Sequence, residues 1–256
     1  MLAVVLFLHT NVTLQDFLPK LRKHIFPRIQ DLRQEVASLP ENARFGTIFS
    51  DLEHAEANVD ASSCVFFKND RIYHHKLTRF HFTTYDVRRG TDTINPGTSR
   101  RNIMLLADDV DSAGSSSKLH RFLYARVLGV YHANVIYTGP GMHGYEARRL
   151  DFLWVRWYEV VDTASSGWVA GKLDSLRFPP MNGEDAFAFV DPKDVLRGCH
   201  IMPRFAKGKR HADGIGVSRC AKDGNDYHRY YIGRCVRSWQ RIPILTFNIS
   251  CDTTGG

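Results

Sequence analysis

Two long apolar segments, residues 121–131 and 152–161, constrain the fold more than any other feature of the chain. Both are dense in β-branched and aromatic residues, which fit the pleated and half-buried surface of a β-sheet. Glycine and proline at residues 138–141, between the two segments, mark a loop. The pair therefore predicts two long strands at the centre of a small barrel or sandwich, an architecture that we expect to bind rather than to catalyse.

Residues 13–39 predict an N-terminal helix. Apolar residues recur there at steps of three and four, which places them on one helical face: Leu21, Ile25, Ile29, Leu32 and Val36. Thr13 is the predicted N-cap. Pro19 and Pro27 are expected to start, kink or divide the helix, because proline lacks a backbone N–H.

Further strands are predicted at residues 72–85, 102–107, 185–190 and 199–202, with a polar turn region at 86–92 and a tight turn at 95–97. Residues 191–198 predict a short helix, because Asp191 can cap it, Pro192 suits its first position and Gly198 can end it. The predicted class is α+β and mainly β, an SH3-like barrel with an N-terminal helical region and a short inserted helix. The predicted division is a helical appendage at 1–60, the barrel at 61–205 and a basic segment at 206–256.

The positive charge is concentrated in one stretch of the chain. Residues 195–241 contain eleven Lys and Arg against three Asp and Glu, whereas the whole protein has a formal net charge of +7. Such a concentration favours an acidic partner: nucleic acid, a phosphate-rich surface or an acidic protein tail. The alternative is a solvated basic face that only aids solubility.

The candidate nucleic-acid-binding residues form a basic loop, which we define as residues 204–211. Its members are Arg204, Lys207, Lys209, Arg210 and His211, with Phe205 and Gly208 interleaved. Cations at this density can contact phosphates, which gives affinity and position but little sequence readout. Arg88 and Arg89 are predicted to extend the same surface.

Tyr131, Trp154 and Tyr158 form a candidate aromatic surface. Ring faces arranged around a cation can hold a methylated lysine. On the second strand, Trp154 and Tyr158 alternate with residues that we expect in the core. Plain packing of these rings is the alternative.

The sequence offers little support for catalysis. It has no GxxxxGK[ST] phosphate-binding loop and no GxSxG nucleophile turn. The spacings of the cysteines and histidines in the last quarter of the chain are unlike those of ordinary structural zinc sites. The residues that could contribute to such a site are Cys199, His200, His211, Cys220, His228 and Cys235. We therefore predict a protein that is not an enzyme, with no metal, no cofactor and no small-molecule substrate.

The cysteines and the N-terminal residues indicate the cellular compartment in which the protein is expected. Five cysteines without a CxxC pair are typical of a reduced intracellular protein. The apolar run at residues 1–8 is far shorter than the roughly 20 residues that a membrane span requires. We therefore expect no membrane partner.

Four short motifs follow one another in the order seen in the bromo-adjacent homology (BAH) family. They are Arg126-Val127, Val155-Arg156-Trp157-Tyr158, Asp162-Thr163, and Gly198-Cys199-His200-Ile201 after the short predicted helix. Residues 71–203 thus resemble a BAH domain, and the resemblance implies a BAH-like barrel.

A second set of motifs is more specific. It comprises residues 72–76, 83–89, 92–96, 152–157 and 203–208, together with Asp191-Pro192 and Tyr230-Tyr231. Over residues 14–233 the chain resembles uncharacterised proteins that are abundant in mushroom-forming fungi, many of which are similar to the C-terminal part of Plavaka-type transposable-element proteins. The resemblance implies a mobile-element origin, with the element's catalytic core upstream and unmatched. After Arg234 the chain departs from that pattern.

These observations favour a non-catalytic binding module of transposable-element origin that associates with chromatin or nucleic acid, in the nucleus or otherwise in the cytoplasm. One alternative is a protein–protein interaction module that assembles with other element-encoded proteins. A zinc-dependent nuclease or transposase fragment is a further alternative. The departure after Arg234 adds another, a degraded gene fragment without function.

Overall fold

The computed structural model describes residues 17–37, 64–83, 88–107, 121–139, 146–161, 173–233 and 249–250, with side chains in the helix for residues 17–32. The predicted N-cap Thr13 and the side chains beyond residue 233 lie outside this description. The chain divides into two compact units, Met1–His74 with Tyr131–Phe152, and His75–Val130 with Leu153–Gly256. Among the described helices, none combines the length and the apolar character that crossing a membrane demands.

The first unit contains the one described α-helix, α1 (Phe17–Ala37). Its buried positions recur every four residues, at Phe17, Leu21, Ile25 and Ile29, which confirms the predicted apolar face. Leu32 is half-buried. Of the three effects expected of Pro19 and Pro27, a start or a division at Pro27 is wrong, because the helix continues through this residue, which lies on its exposed side, and a kink stays a prediction.

Strand β1 (Val65–His75) pairs with β5 (Phe122–Tyr137), and β6 (Arg148–Val160) lies beside β5. Residues 131–137 and 148–152 of the two long strands belong to the first unit. The ring of Tyr131 contacts Phe17 edge-on at 6.1 Å and stacks on Phe152 at 5.8 Å, so aromatic packing joins α1 to this sheet. Arg28 adds a hydrogen bond from Nη1 to the Asp151 carbonyl at 2.9 Å.

The second unit holds the other half of β5 and β6 and nine further strands. They are β2 (Thr78–Thr83), β3 (Arg89–Ile94), β4 (Asn102–Leu106), β7 (Ser175–Arg177), β8 (Phe187–Val190), β9 (Val195–Gly198), β10 (His200–Pro203), β11 (Tyr230–Gly233) and β12 (Ile249–Ser250). The larger sheet has the order β10-β11-β7-β6-β5-β4-β9, with β8 also paired to β6, and the smaller has the order β12-β2-β3.

Both faces of β6 are buried in the second unit. Leu153 and Val155 lie in an aliphatic cluster with residues of β4, β5, β8 and β9. Tyr158 lies in a second cluster, rich in aromatic rings, which includes Tyr124, Phe178 and Tyr230. The two long predicted strands are therefore confirmed as the centre of the sheet, and they are longer than their apolar segments.

Three local predictions are corrected by strand pairing. The described part of the predicted strand at 72–85 is divided between β1 and β2 by Lys76-Leu77. The predicted turn region at 86–92 gives way to β3 from Arg89 onward, in register with β2. At residues 191–198 only Pro192–Asp194 form a single 3-10 turn, capped as predicted by the Asp191 carboxylate, which accepts from the Lys193 N–H at 3.0 Å. Residues 195–198 pair with β4 instead, which satisfies their backbone groups outside a helix.

The chain is mainly β with an N-terminal helix, as the sequence predicts. The larger sheet is an open path, and among the described residues its terminal strands, β10 and β9, do not pair with each other. Residues 206–233, from the predicted C-terminal segment, belong to the same compact unit as β4 and β9. The predicted boundaries at residues 60 and 205 stay predictions.

Candidate nucleic-acid interface

The basic loop lies between β10 and β11 and is held by backbone hydrogen bonds. The Lys207 N–H donates to the Arg204 carbonyl and the Gly208 N–H to the Phe205 carbonyl, both at 2.9 Å, and this closes a 3-10 turn over Phe205–Lys207. Gly208 ends the turn at φ +75°, in the left-handed region that glycine adopts without strain. The Arg204 N–H donates to the Arg229 carbonyl at 2.9 Å, which ties the turn to the start of β11.

Two of the five predicted cations of this loop are directed to solvent. Lys207 and Lys209 are exposed, and neither has an ion-pair partner among the described residues. Arg204 is half-buried, and its guanidinium lies over the Tyr231 ring, 5.2 Å from the centroid. Both lysines can therefore approach a phosphate without breaking an interaction within the protein.

The other two cations are turned inward. Arg210 donates from Nη2 to the Phe178 carbonyl at 3.3 Å, and its backbone N–H donates to the Asp226 carbonyl at 2.7 Å. His211 Nε2 lies 3.3 Å from Oδ2 of Asp223. These two residues hold the loop in place rather than extending its free positive surface.

Arg88 and Arg89 are exposed where β3 begins, whereas a contact of the C-terminal loop, which we define as residues 204–229, lies beyond the other end of this strand. Lys222 Nζ donates to the Pro96 carbonyl at 3.0 Å, just beyond the opposite end of this strand. Five steps along an extended strand separate Arg89 from Ile94, about 17 Å. The extension of the basic loop's surface by Arg88 and Arg89 stays a prediction.

The predicted aromatic surface lies largely inside the protein. Trp154 and Tyr158 are only 3% and 7% exposed. Trp154 packs against Phe187 and Phe189, and Tyr158 stacks on Phe178 with ring centroids 4.1 Å apart. Tyr131 is half-buried against α1. A cage open to solvent is therefore not formed by Trp154 and Tyr158, because packing uses their faces.

The sequence did not predict the arginine cluster, which we define as Arg126, Arg156 and Asp226. Arg126 Nη1 donates to Asp226 Oδ1, and Arg156 Nη1 donates to Oδ2 at 2.7 Å. All three residues are buried, and Arg156 and Asp226 are 0% exposed. Because Arg126 lies on β5, Arg156 on β6 and Asp226 in the C-terminal loop, these ion pairs fix the base of that loop to the sheet.

Aromatic rings surround the arginine cluster. Both guanidinium groups lie over the Phe178 ring, at 4.3 Å for Arg126 and 4.0 Å for Arg156. The Tyr230 hydroxyl donates to Asp226 Oδ1 at 3.1 Å and accepts from the Tyr227 N–H at 2.8 Å. The rings thus replace part of the hydration that the charges lose on burial.

The cluster carries an excess of positive charge, since two guanidinium groups face one carboxylate. Burial lowers the pKa of Arg156, opposed by its bonds to Asp226. Burial acts in the same direction on Arg126, but the nearby Tyr158, Asp226 and Tyr230 outweigh it and raise the pKa of this residue. Nε of both arginines and Nη2 of Arg156 have no hydrogen-bond partner among the described residues. Asp226 is the only described carboxylate that pairs with either guanidinium.

A second buried carboxylate shapes the outer part of the same loop. Asp223 accepts from the backbone N–H groups of Val217 at 2.8 Å and Ser218 at 3.0 Å. Burial alone would raise the pKa of Asp223, but these bonds and the nearby His211 hold the pKa below its ordinary value. Two of the loop's acidic residues, Asp223 and Asp226, are therefore occupied by internal interactions and do not offset the exposed lysines.

The cysteines and histidines considered for the alternative of a zinc site are not brought together in the described region. No group of three among Cys199, His200, His211, Cys220 and His228 lies within coordinating distance. Burial, followed by the charge of Asp92, raises the pKa of the Cys199 thiol, and burial raises that of Cys220. Both shifts disfavour the thiolate, which is the form that binds metal or attacks as a nucleophile.

Comparisons with family models, with curated proteins and with solved structures each give no match. The functional argument therefore depends on the residues themselves.

Proposed function

We propose that this protein is a non-catalytic, nucleic-acid-associated binding module whose basic loop contacts the phosphate backbone. The observation that carries the proposal is the exposure of Lys207 and Lys209, without ion-pair partners in the described region, on a turn held to the sheet by Asp226. Residues 204–233 contain seven Lys and Arg against three Asp, and two of those three are buried in internal contacts. The loop thus presents a net positive surface to solvent.

Counterion release is the physical basis of the expected binding. Each phosphate that a lysine neutralises releases condensed cations, and the logarithm of the association constant falls with the logarithm of salt concentration by about 0.9 per contact on duplex DNA. Two lysines account for a slope of about −2. Such contacts position the protein on the backbone without reading sequence, so we expect similar affinity for unrelated sequences.

The test compares two double variants that remove the same charge. Lys207→Ala with Lys209→Ala removes the free cations of the basic loop, whereas Lys68→Ala with Lys76→Ala removes two exposed lysines from β1 and from the segment that follows it. Fluorescence anisotropy of a labelled duplex at low salt should show a loss of affinity for the first variant and a near-normal affinity for the second. Equal losses would reduce the effect to net charge and would contradict a localised interface.

A specific observation favours a protein–protein interaction module as the second candidate. Phe205, Ile215 and Val217 are 71%, 72% and 77% exposed, which is unusual for large apolar side chains on one loop region. A protein partner would use these side chains, and its binding would depend weakly on salt. Capture of element-encoded proteins that is insensitive to salt and lost on Val217→Ser would favour this candidate over the first.

We also propose what the motifs indicate in more detail: a BAH-like architecture, an origin in a Plavaka-type element, and a nuclear location in association with chromatin. One structural observation connects the two strand motifs on which the BAH-like interpretation depends. Arg126 and Arg156, one from each of the two strand motifs, are the residues that converge on Asp226. Imaging of the tagged protein in fungal cells checks the location, and exclusion from nuclei would contradict it.

A further inference from the structure

Phe205 is an exposed aromatic ring in the middle of the basic loop. It is 71% exposed, although nearby phenylalanines such as Phe178 are buried. Its ring meets Tyr227 in a perpendicular arrangement, with centroids 5.3 Å apart and planes at 85°. In such a pair at most one face of Phe205 is covered, so at least one face remains open to solvent.

The ring is held by a series of contacts that leads to the arginine cluster. Tyr227 contacts Tyr230 edge-on at 6.4 Å, and its N–H donates to the Tyr230 hydroxyl, which in turn donates to Asp226. The backbone of Phe205 is fixed as well, because its carbonyl accepts from the Gly208 N–H and closes the 3-10 turn. The contact with Tyr227 and the hydrogen-bonded turn therefore place the Phe205 ring at the surface of the basic loop.

Cations lie on both sides of this ring along the chain. Arg204 precedes it and lies over the Tyr231 ring, whereas Lys207 and Lys209 follow it and are exposed. An open ring face with exposed cations close by in the chain is the combination with which proteins bind single-stranded nucleic acid, since unpaired bases stack on the ring while cations contact the backbone. In a duplex the bases are already stacked on each other and offer no free face to Phe205.

We propose that the basic loop binds single-stranded nucleic acid, with Phe205 as a stacking platform for one base. This inference rests on the proposed nucleic-acid-binding function and narrows its ligand from nucleic acid in general to unpaired strands. Lys207 and Lys209 supply the phosphate contacts, which both strand forms can use. Phe205 supplies the preference for the single strand.

The experiment measures the affinity of the purified full-length chain for a labelled oligothymidylate and for a duplex of the same length. The variants are Phe205→Ala, Phe205→Leu, which keeps apolar bulk without a ring, and Phe205→Trp, which keeps a ring face. Ile215→Ala is the matched control, because Ile215 is an apolar residue about as exposed as Phe205 but has no ring. A strand that contains 2-aminopurine reports stacking directly through quenching of its fluorescence.

We expect the wild type to prefer the single strand and to quench 2-aminopurine. Phe205→Ala and Phe205→Leu should lose about fivefold to a hundredfold of single-strand affinity, the range for one base–aromatic stack, with little change for the duplex. Phe205→Trp and Ile215→Ala should behave as the wild type.

Two results would overturn the inference, and they are distinguishable. If the wild type binds nucleic acid through Lys207 and Lys209 but Phe205→Ala leaves single-strand affinity and quenching unchanged, the stacking role fails and the proposed function stands. If the wild type binds neither strand form at low salt, the proposed function fails and the inference fails with it.

Discussion

Replacement of Asp226 by Asn tests the arginine cluster, since it removes the only described carboxylate that pairs with Arg126 and Arg156. The substitution keeps the shape of the side chain. The asparagine oxygen can still accept from one guanidinium, but its NH2 group is a donor and would face the other guanidinium, also a donor. Two buried cations would then share one neutral acceptor.

The expected loss of stability is large. Breaking a buried ion pair by removing one partner costs about 3–5 kcal/mol, because the other charge is left buried without compensation. Asp226 is 0% exposed and serves two guanidinium groups, so we expect Asp226→Asn to fall in the upper part of that range. A domain of this kind has a free energy of unfolding of about 5–15 kcal/mol, and the urea midpoint should fall by about 2 M.

Urea unfolding followed by tryptophan fluorescence measures the effect, since Trp154 and Trp157 lie on β6 beside Arg156. Asp213→Asn is the matched control. Asp213 is exposed in the same loop and accepts from the Ile215 N–H at 3.0 Å, a bond that the asparagine oxygen can keep. Its free energy of unfolding should change by less than about 0.5 kcal/mol.

A third variant separates the charge from the packing. Changing Arg126 and Arg156 to Met and Asp226 to Leu removes the whole ion cluster, and apolar replacements of complete buried clusters are often neutral or stabilising. The triple variant should therefore be more stable than Asp226→Asn. A loss below about 1 kcal/mol for Asp226→Asn, or a triple variant less stable than the single one, would refute the argument that uncompensated buried charge sets the cost.

Two further predictions concern titratable groups in the same unit. The pKa of Asp223 is lower in the folded protein than its ordinary value of 3.8, so its contribution to stability is present above that value and is lost as the pH falls through the folded pKa; the free energy of unfolding of Asp223→Asn should therefore decline less than that of the wild type between pH 5 and pH 3, and parallel profiles would contradict this. Burial and the nearby Asp92 raise the pKa of Cys199, so at pH 8 its alkylation by iodoacetamide, followed by peptide mass spectrometry, should be at least about tenfold slower in the native protein than after unfolding, and equal rates would show a reactive thiol.

Periodic patterns of apolar residues correctly predicted the helix and the strands whose apolar faces are buried. The four-residue recurrence of Leu21, Ile25 and Ile29 gives the buried face of α1, and the β-branched and aromatic segments give β5 and β6. These elements follow from local pattern, because burial of an apolar stripe or face is what stabilises them.

The elements that were predicted wrongly are those whose structure depends on pairing with a strand distant in the sequence. Asp191-Pro192 starts a turn, as expected, but residues 195–198 bond to β4, almost a hundred residues earlier in the chain. Residues 89–94 contain glycine and aspartate, which favour turns, and become a strand only because β2 is opposite. Single-sequence patterns carry no information on such partners.

The candidate site was predicted in part. The cations of the basic loop were visible in the sequence, but Arg210 and His211 turn inward to Phe178 and Asp223, which charge counts do not reveal. The arginine cluster had a signal that was overlooked. Arg126 and Arg156 each lie inside an apolar strand, and a charge at such a position requires a buried partner. The identity of that partner, Asp226, depends on the fold.

The slope of duplex-binding affinity against salt concentration tests the central claim most directly. It is measured for the wild type, for Lys207→Ala with Lys209→Ala, and for Lys68→Ala with Lys76→Ala. We predict that the logarithm of the association constant of the wild type falls steeply with that of salt, and that loss of the loop lysines makes the slope shallower by about 2 while loss of the control pair does not. Absence of binding at low salt, or an unchanged slope in the loop variant, would contradict the assignment of the basic loop as the phosphate-binding surface.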